Sequence, residues 1–549
     1  MRASSLVVLA AWALLACSST PDALPPGGAA DAVPPKNPAL SSGLCPLVHC
    51  NTYQTDAFPV EGPTLPSRTL GEAEVDLYWS SPLSGGVLDI TYPDGTTVYW
   101  VAKADRILKL GFTDDFRLTL LAELPLATGK YPPHSGEFMR SWIGELDGLV
   151  LGSDAYREKA AYWRDYPLDA LHAYYAVLDA SGVLFVAARD RIIAYADAEP
   201  GNPRSPIVKR GELALDPAQM NGGPPVLIGL NASWDGTLVA VSLDGTLIAA
   251  DRALTRAWYQ RFPGERFWNG IALDEAGGVY AVSDKQLHKR VWSGQGWSER
   301  AEDGAWSEPY EVGENDAQLR GARGSGTTPT LMGLEGDADQ LVLITDAANV
   351  NQLVLYWRDA IPDDWEGVEG VSSRRIVGRL PVDFGAADLA DSHLDNSPVV
   401  LGYGAALVND RPRNGMALHL DNQLWINDPA VAPVGIQKFA WDPERRRLTS
   451  AWLRADLSNP NVTPAIAAGN RQLHCVTVHE GVWALETLDW DTGATRALYW
   501  LGRSQRFNPI DLSLQLMANG DLISSVFGGV LHLKLGAGAE LPNGVEPVD

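Results

Sequence analysis

The stretch "GVWALETLDWDTGATRALYW", residues 481–500, decides how the rest of the chain is interpreted. It consists of an extended apolar run, a tight Asp-Thr-Gly turn, and a second run that ends at Trp500. Two such runs around a glycine-containing turn predict a β-hairpin. The question is whether this hairpin stands alone or is one unit of a repeat that builds the whole molecule.

Units with the same pattern recur from about residue 74 to the end of the chain. Each has an apolar strand, a turn with Gly, Asp or Asn, a second strand, another turn, and a third strand. Eight units can be delineated, at intervals of roughly forty to ninety residues. Examples are "LDITYPDGTTVYWVAKADRILKLG", "VLIGLNASWDGTLVAVSLDGTLIAADR" and "PIDLSLQLMANGDLISSVFGGVLHLKL".

This pattern predicts an all-β protein made of a single β-propeller with four-stranded antiparallel blades, eight in number with seven as the alternative. Each sheet is too small to bury both faces alone, but blades arranged in a ring bury each other. Because the strand pattern continues to "GGVLHLKL", we expect the ring to close by pairing of terminal strands with N-terminal ones. The competing interpretation is two or three separate β-sandwiches. No long amphipathic helix is evident, and residues 154–175 are the best helical candidate, as an insertion packed on one face.

The composition restricts the kind of partner. The 549 residues include 46% apolar and 20% charged residues, with 53 Gly and 19 Trp, which is typical of a globular chain with many tight turns. The formal net charge of −25 repels phosphate backbones, so nucleic acid is excluded as a partner class. It is compatible with divalent cations, with a cationic partner, or simply with solubility.

The N-terminus, "MRASSLVVLAAWALLACSST", has a positive Arg2, a short apolar stretch and then "LLAC" ending at Cys17. It resembles the lipobox of bacterial lipoproteins, which implies cleavage before Cys17, lipidation of that cysteine, and an outer-membrane anchor facing the periplasm or the cell surface. The alternative is an ordinary signal peptide. We therefore divide the chain as follows: signal peptide 1–16, lipidated cysteine with flexible tether and N-terminal segment 17–70, propeller 71–540, and C-terminal tail 541–549.

Three cysteines remain: Cys45, Cys50 and Cys475. An exported chain is oxidised, so pairing is expected. The spacing of "CPLVHC" permits a local bridge between Cys45 and Cys50, while either of them could instead pair with Cys475.

The stretch "TPAIAAGNRQLHCVTVHEGVWALETLDWDTGATRALYW", residues 463–500, resembles the pyrroloquinoline-quinone (PQQ) type of propeller repeat, which is quinoprotein alcohol dehydrogenase-like. The matching positions are Pro464, Asp491, Thr492, Gly493 and Trp500. "TTPTLMG" at 327 and "NSPVVLG" at 396 match only its opening. "NGIALDEAGGVYAVSD", from Asn269, is instead similar to a blade of the SMP-30 or gluconolactonase-like propellers.

This resemblance implies two kinds of function. Quinone enzymes of the superfamily use PQQ with Ca²⁺, and both are candidate cofactors here. However, their vicinal Cys-Cys pair and the C-x-x-C-H haem signature are absent from this sequence. Relatives without enzymatic activity include the outer-membrane assembly lipoproteins, which bind other proteins. The fold alone does not choose between the two.

Candidate ligand-binding residues precede several innermost strands, at Asn269, Thr327, Asn396, Asn461 and Asn508. If these positions are in phase, they form a polar ring at one mouth of the channel, which could orient a small polar ligand or a Ca²⁺ ion. The alternative is turn chemistry, in which Asn bonds to its own backbone. Asn461 is one residue out of register, which could turn it to the opposite face.

Two loops near this predicted mouth add charged candidates. In "RGARGSGTT", Arg320 and Arg323 could bind a carboxylate or phosphate. In "LADSHLDNSP", His393 between Asp391 and Asp395 is the candidate catalytic base, with simple solvation as the alternative. The Trp-rich segment 291–312 could stack on a sugar ring or extend a hairpin onto the next blade.

The sequence thus predicts a lipid-anchored propeller that binds a small polar ligand or an envelope protein and contacts the membrane only through its anchor. The alternative is an enzyme at the channel mouth, either a quinone- or Ca²⁺-dependent oxidoreductase or a metal-dependent lactonase-like hydrolase. The enzyme requires acidic or histidine side chains to converge on one mouth, whereas the binding module requires a filled channel.

Overall fold

The computed structural model describes residues 33–536, except 83, 127–132, 165–171, 224, 315–323, 387, 388, 390, 391, 393, 417, 418, 511 and 512. Within these residues the strands form eight sheets, each with at least four strands. The sheets follow one another along the chain, and in six of the eight neighbouring pairs the first strands of the two sheets lie side by side. This arrangement is an eight-bladed β-propeller with its innermost strands around a central channel.

The blades are numbered in chain order, and their strands are given from the innermost outward. Blade 1 has Ser84–Thr91, Thr97–Lys103, Arg106–Phe112 and Leu118–Pro125. Blade 2 has His172–Leu178, Leu184–Ala188, Arg191–Asp197 and Ile207–Ala214. Blade 3 has Leu227–Ala232, Leu238–Ser242, Thr246–Ala250 and Ala257–Arg261. Blade 4 has Phe267–Leu273, Gly278–Ser283, Gln286–Trp292 and a divided outer strand, Trp297–Ser298 and Trp306–Pro309.

Blades 5 and 6 are regular, while blades 7 and 8 also use N-terminal strands. Blade 5 has Thr330–Met332, Leu341–Thr345, Gln352–Trp357 and Ile376–Pro381. Blade 6 has Val399–Leu401, Gly404–Val408, Ile436–Asp442 and Arg447–Arg454. Blade 7 has Ala465–Ala467, Gln472–His479, Val482–Asp489 and Thr495–Gly502, flanked by Ala57–Phe58 inside and Arg68–Thr69 outside. Blade 8 has Gln515–Leu516, Leu522–Val526, Gly529–Leu533 and Val75–Trp79.

The hairpin at residues 481–500 forms the third and fourth strands of blade 7, Val482–Asp489 and Thr495–Gly502. Its turn is held by the Asp489 carboxylate, which accepts the Thr492 N–H at 2.8 Å. Gly493 has a φ of 72°, and a Cβ there would lie 2.7 Å from the Trp452 ring of blade 6. The glycine therefore serves both the turn and the close approach of the neighbouring blade. The hairpin is one unit of the repeat, as the sequence predicts.

Apolar clusters between successive blades hold the ring together. Each of the eight neighbouring pairs of blades shares one buried cluster, including the pair formed by blades 8 and 1. In that last cluster, Val87 and Leu108 of blade 1 pack with Ile523 and Val530 of blade 8. Burial of apolar area at about 25 cal/mol per Å² makes each such interface stabilising, and continuous face-to-face packing excludes separate sandwiches.

The ring closes through the N-terminal strand of blade 8. Val75–Trp79 pairs antiparallel with Gly529–Leu533, with Leu77 opposite Leu531. The outermost strand of the last blade thus comes from the beginning of the propeller sequence. The predicted closure and the count of eight blades, rather than seven, are confirmed.

Three α-helices of at most 12 residues lie among the described residues. Helix α1 spans Gly136–Asp147, α2 spans Asp154–Ala160, and α3 spans Leu420–Gln423. The helical candidate 154–175 is helical at its start, while His172–Leu178 is a strand, and helix α1 was not predicted. Met139, Trp142, Ile143 and Leu146 form the buried stripe of α1 at helical spacing. Ser135 caps α1 and Ser153 caps α2. None of the helices among the described residues is long and apolar enough to cross a membrane.

The N-terminal segment packs against the propeller and contributes strands to it, although the predicted division began the propeller at residue 71. Asn37 and Leu40, which lie in the Pro- and Ala-rich stretch interpreted as a tether, are buried against the blades. The described part of the chain ends at residue 536, three residues after the last strand of blade 8. The signal peptide, Cys17 and the tail 541–549 lie outside the described residues.

Substitution of Gly529 by Ala tests the closure. Gly529 has a φ of 149°, and a Cβ there would lie 1.9 Å from the Tyr78 carbonyl oxygen in the closing strand. We expect Gly529→Ala to lower the free energy of unfolding by about 2 kcal/mol or more, since the clash is with backbone. Urea denaturation followed by tryptophan fluorescence measures this change.

Gly211→Ala is the matched control, because Gly211 lies in an outer strand of blade 2 with no atom within 4 Å of the added Cβ. We expect it to change the free energy of unfolding by only about 0.5 kcal/mol. Equal stability of the two variants would contradict closure at Gly529.

Candidate functional site

One mouth of the central channel is filled by the chain itself, through residues 40–58, which we call the plug. The innermost strand of each blade is a sheet edge, so its free N–H groups require acceptors. Backbone N–H groups of the innermost strands donate to backbone carbonyl groups of the plug. The donor–acceptor pairs are Asp89–Cys45 (3.1 Å), Leu178–Pro46 (2.7 Å), Leu273–Thr52 (2.8 Å), Leu331–Tyr53 (3.0 Å), Val400–Thr55 (3.0 Å), Ile466–Asp56 (2.9 Å) and Ala468–Phe58 (2.9 Å). Asn231 of blade 3 adds a side-chain bond to the Thr52 carbonyl at 3.4 Å. The plug therefore bonds to blades 1 to 7.

The tight course of the plug needs unusual backbone and a cross-link. Four of its non-glycine residues have left-handed φ values: His49 (61°), Cys50 (63°), Gln54 (64°) and Asp56 (52°). Each such residue costs about 1 kcal/mol or more, which the surrounding hydrogen bonds must offset. The Cys45–Cys50 disulfide closes the turn, and Cys475 is a buried free thiol. The local pairing is therefore the one that forms among the three alternatives.

Two carboxylates anchor the plug, one half-buried (Asp89) and one buried (Asp56). Asp89 of blade 1 accepts the N–H groups of Cys45 at 2.6 Å and Leu44 at 3.0 Å. Burial raises the pKa of Asp89, and these two N–H bonds oppose that rise. Within the plug, Asp56 Oδ2 lies 2.7 Å from His49 Nδ1, and both residues are buried. Burial raises the pKa of Asp56 while His49 lowers it.

The opposite mouth carries the predicted polar ring, here called the collar: Asn269, Thr327, Asn396, Asn461 and Asn508. Asn461 Nδ2 donates to Asn508 Oδ1 at 2.9 Å. Asn396 Oδ1 accepts from Thr463 Oγ1 at 3.4 Å. Asn269 donates to the Gly326 carbonyl, next to Thr327. Between blades 5 and 6 the adjacent residues make the bond, since the Thr328 N–H donates to Ser397 Oγ at 2.9 Å. Hydrogen bonds at or next to these positions therefore link blades 4 to 8. Asn461 remains in the collar despite its offset in register, because its left-handed φ of 68° redirects the chain.

The collar side chains are engaged with one another and with the protein interior. Asn508 Nδ2 donates to the Gln423 carbonyl at 2.8 Å and to Gln505 Oε1 at 2.9 Å. Asn396 donates to the buried Asp410 carboxylate through its side chain and, at 2.7 Å, through its N–H. Thr327 Oγ1 accepts the Thr345 N–H at 3.0 Å. This network fastens the starts of the innermost strands together and resembles structural cross-bracing more than an open ligand ring.

A helical cap, residues 134–164 with 420–431, packs beside the collar. Its core joins α1, α2 and α3 with Phe527 and Ile510 of the blade 8 region. Tyr156 donates to the Leu424 carbonyl at 2.9 Å, and Asp147 accepts the Gln505 N–H at 3.1 Å. Since Gln423 of α3 accepts from the collar, the cap and the collar form one bonded unit.

Several predicted site residues are not among the described residues. They are Arg320, Arg323, Asp391, His393 and the lipidation residue Cys17. Asp395 is described, and its N–H donates to Asp410 at 2.8 Å. The assignments of His393 as catalytic base and Arg323 as anion ligand therefore stay predictions.

The described residues do not fit a quinone–calcium site. Over residues 33–536, with the gaps given above, no group of three or more His, Cys, Asp or Glu side chains is placed to hold a metal ion. The collar oxygens that could serve as ligands, such as Asn508 Oδ1 and the Asp410 carboxylate, already accept hydrogen bonds from neighbours. We derive no chemistry through PQQ or Ca²⁺.

Sequence reasoning missed the plug and the residues that fix it. "CPLVHCNTYQTDAF" has no strand or helix periodicity, so its contacts with distant blades left no local signal. The spacing of the two cysteines was the available clue, because a local bridge implies a compact, ordered turn. The polar partners Asp410 and Gln505 were also missed, since isolated polar residues in loops carry no pattern.

Comparisons with known proteins leave the function open. No protein-family model matches the chain. An uncharacterized protein of Archaeoglobus fulgidus is 29% identical over 523 residues, which cover 91% of this chain and 89% of that protein.

Two solved structures illustrate the likeness in shape. Quinohemoprotein alcohol dehydrogenase from Comamonas testosteroni has a TM-score of 0.49 and 11% identity over 93% of this chain and 83% of its own. BamB from Moraxella catarrhalis has a TM-score of 0.33 and 12% identity over 64% of this chain and 93% of its own. The chain is a β-propeller on the evidence of its own sheet topology.

Removal of the Asp89 carboxylate tests its role in anchoring the plug. Asp89→Ala deletes two charge-assisted bonds worth about 1.5–3 kcal/mol each. We expect thermolysin to cut within residues 40–58 at least about 30-fold faster, since local opening becomes easier, while the blades stay intact. Mass spectrometry of the fragments locates the cuts.

Asp94→Ala is the control, because Asp94 is an exposed residue in the hairpin that follows the same strand. We expect it to be cut at the wild-type rate. Equal resistance of the Asp89→Ala protein would show that this carboxylate does not anchor the plug.

Proposed function

We propose that the protein is a lipid-anchored β-propeller of the bacterial outer membrane, periplasmic or surface-facing, that binds an envelope protein and carries out no reaction in its channel. The observation that carries this proposal is the plug. It occupies one mouth with its own carbonyl groups, and the collar braces the other with mutually bonded amides. A filled channel is what the binding interpretation requires.

The path of the N-terminus supports a definite orientation at the membrane. Val33 packs against the cluster between blades 6 and 7, and Asn37 bonds to the Ala232 carbonyl of blade 3 at 2.9 Å. The chain therefore arrives across the plugged mouth. A linker from Cys17 to Val33 spans at most about 55 Å when fully extended, so the anchor would keep the plugged mouth towards the membrane and the collar mouth away from it.

The cap then lies on the face turned away from the membrane. Val150, between α1 and α2, is 78% exposed, and Tyr162 is 48% exposed. Exposed apolar and aromatic side chains on a rigid support are typical of protein-binding surfaces. The net charge of −25 favours a partner with a cationic surface, because complementary charge accelerates association.

The anchor and the orientation can be tested together in cells. A photo-crosslinking amino acid at Val150 should give one discrete protein adduct, because this position faces the partner. The same group at Asp94, on the plugged mouth, should not give that adduct. Cys17→Ala should abolish the lipid on the mature N-terminus and release the protein from the membrane fraction.

Three results would contradict the proposal. These are a mature Cys17 without lipid, the same protein adduct from both positions, or stoichiometric binding of PQQ and Ca²⁺ with alcohol oxidation by the purified protein. The last result would establish the enzyme instead.

A further inference from the structure

We propose that Ser307, His288 and Glu265 form a nucleophile–base–carboxylate triad at the rim of blade 4 that hydrolyses carboxylic esters. This activity is independent of the binding function proposed above, and it lies away from the channel. The three residues come from separate parts of the blade, which explains why the sequence gives no motif for them.

The geometry places a base directly behind an exposed hydroxyl. Ser307 lies opposite His288 in the pairing of the outer strand with Gln286–Trp292. Ser307 Oγ is 2.8 Å from His288 Nδ1, and His288 Nε2 is 2.7 Å from Glu265 Oε2. The Ser307 position is exposed, while the His288 side chain is only 2% exposed and that of Glu265 11%.

The partners of these groups allow one arrangement of protons. Burial acts to raise the pKa of Glu265, but hydrogen bonds from His288 and Ser283 outweigh it and bring the pKa to about 2. The Glu265 carboxylate therefore only accepts, so His288 Nε2 carries the hydrogen and Nδ1 has the free lone pair. Ser307 must then donate its O–H to Nδ1.

Arg290 completes the arrangement. Its Nη1 lies 3.1 Å from Ser307 Oγ and can only donate. The same Nη1 also donates to the Lys289 and Trp306 carbonyls at 3.0 Å each, so its hydrogens are shared and Arg290 acts on Ser307 Oγ chiefly through its charge. A cation at this distance also stabilises negative charge that develops on or beside that oxygen.

The reaction follows from these roles. Ser307 Oγ adds to the ester carbonyl as its proton moves to His288 Nδ1, and Glu265 stabilises the imidazolium. The tetrahedral intermediate, its oxyanion beside Arg290, collapses to an acyl-serine, and the leaving alcohol takes the proton from Nδ1. Water then repeats the sequence, releasing the carboxylic acid and restoring Ser307. Here Nδ1 faces the serine and Nε2 faces the carboxylate, whereas in the serine proteases Nε2 faces the serine and Nδ1 the carboxylate. Imidazole permits both arrangements because either nitrogen can hold the proton.

The surroundings suit a base of this kind. Phe262 packs on the His288 ring at 4.4 Å between centroids, and Phe267 lies at 6.3 Å. Burial lowers the pKa of His288, opposed by Glu265, so the imidazole is neutral and able to accept a proton near pH 7. Ser307 is exposed, so we expect its replacement to change the free energy of unfolding little.

A groove for the substrate lies over the outermost strand of blade 3, beside Trp297 of blade 4. It has a volume of about 530 Å³ and is lined in part by Trp258, Tyr259, Gln260 and Trp297. Trp297 of this groove lies opposite Trp292, on the strand Gln286–Trp292 that also carries His288, so the groove and the triad share one strand. The aromatic lining favours an ester with an apolar acyl or aryl group.

The neighbouring tryptophans hold the outer strand in place. Trp297 donates to the Trp258 carbonyl of blade 3 at 3.2 Å, and Trp306 donates to the Arg358 carbonyl, directly after the third strand of blade 5, at 3.1 Å. The Trp-rich segment 291–312 is therefore packed on both neighbouring blades, which fixes Ser307 against His288.

A fluorophosphonate probe and p-nitrophenyl butyrate test the proposal on the full-length protein. We expect the probe to modify Ser307, as located by peptide mass spectrometry. Ser307→Ala should abolish labelling and reduce ester hydrolysis at least about 100-fold. His288→Gln should reduce both by a similar factor.

Ser293→Ala is the matched control, since Ser293 is an exposed serine of the same segment whose hydroxyl donates to the Gly296 carbonyl. It should be labelled and should hydrolyse the ester like the wild type. The proposal is overturned if the wild type is not labelled at Ser307, or if Ser307→Ala retains wild-type hydrolysis. Because Ser307 is exposed, its variant stays informative even if His288→Gln does not fold.

Discussion

The structure depends on how the innermost strands satisfy their channel-facing N–H groups. In any propeller these strands are edges, and unpaired edge groups buried from water are costly. Here the plug supplies backbone acceptors to six of the eight blades, from Cys45 to Phe58. The N-terminal segment is therefore not an appendage but a strand-like lining that completes the core of the ring.

The same segment connects the centre of the ring with its rim. After pairing with the innermost strand of blade 7 at Ala57–Phe58, the chain passes under that blade, where Gly62 and Asn470 exchange hydrogen bonds at 3.1 Å. It then pairs with the outer strand at Arg68–Thr69 and forms the outermost strand of blade 8. The same N-terminal segment thus forms both the plug and the strand that closes the ring. We therefore expect a change in the plug to weaken the pairing of the closing strand.

The sequence was sufficient to predict the repeat, because the strands and turns of each blade follow from residues close together in the chain. Gly493 and the Asp-Thr-Gly turn mark a hairpin whichever blades surround it, and the spacing of the apolar residues marks the strands. The collar was also within reach, because its residues occupy equivalent positions before the innermost strands. The bracing role of the collar could not be predicted from the sequence. The bond between Asn461 and Asn508 depends on the left-handed backbone of Asn461, which the spacing of residues along the strand does not reveal.

Other features depend on contacts between residues distant in the chain. Helix α1 carries a helical apolar stripe that was overlooked among strong strand signals. The plug has no periodicity, because its backbone bonds to other strands rather than to itself. The triad joins Glu265, in the loop before blade 4, with His288 of the third strand and Ser307 of the divided outer strand, and no linear motif predicts this.

Amide hydrogen exchange in a chain that begins at residue 59 tests the central role of the plug most directly. This variant keeps the closing strand Val75–Trp79 and removes only the plug and the residues before it. We predict that the amides of Leu178, Leu273, Leu331 and Val400 lose their protection, while the middle strands of the blades keep theirs. Unchanged protection of these four amides, with unchanged stability, would contradict the account.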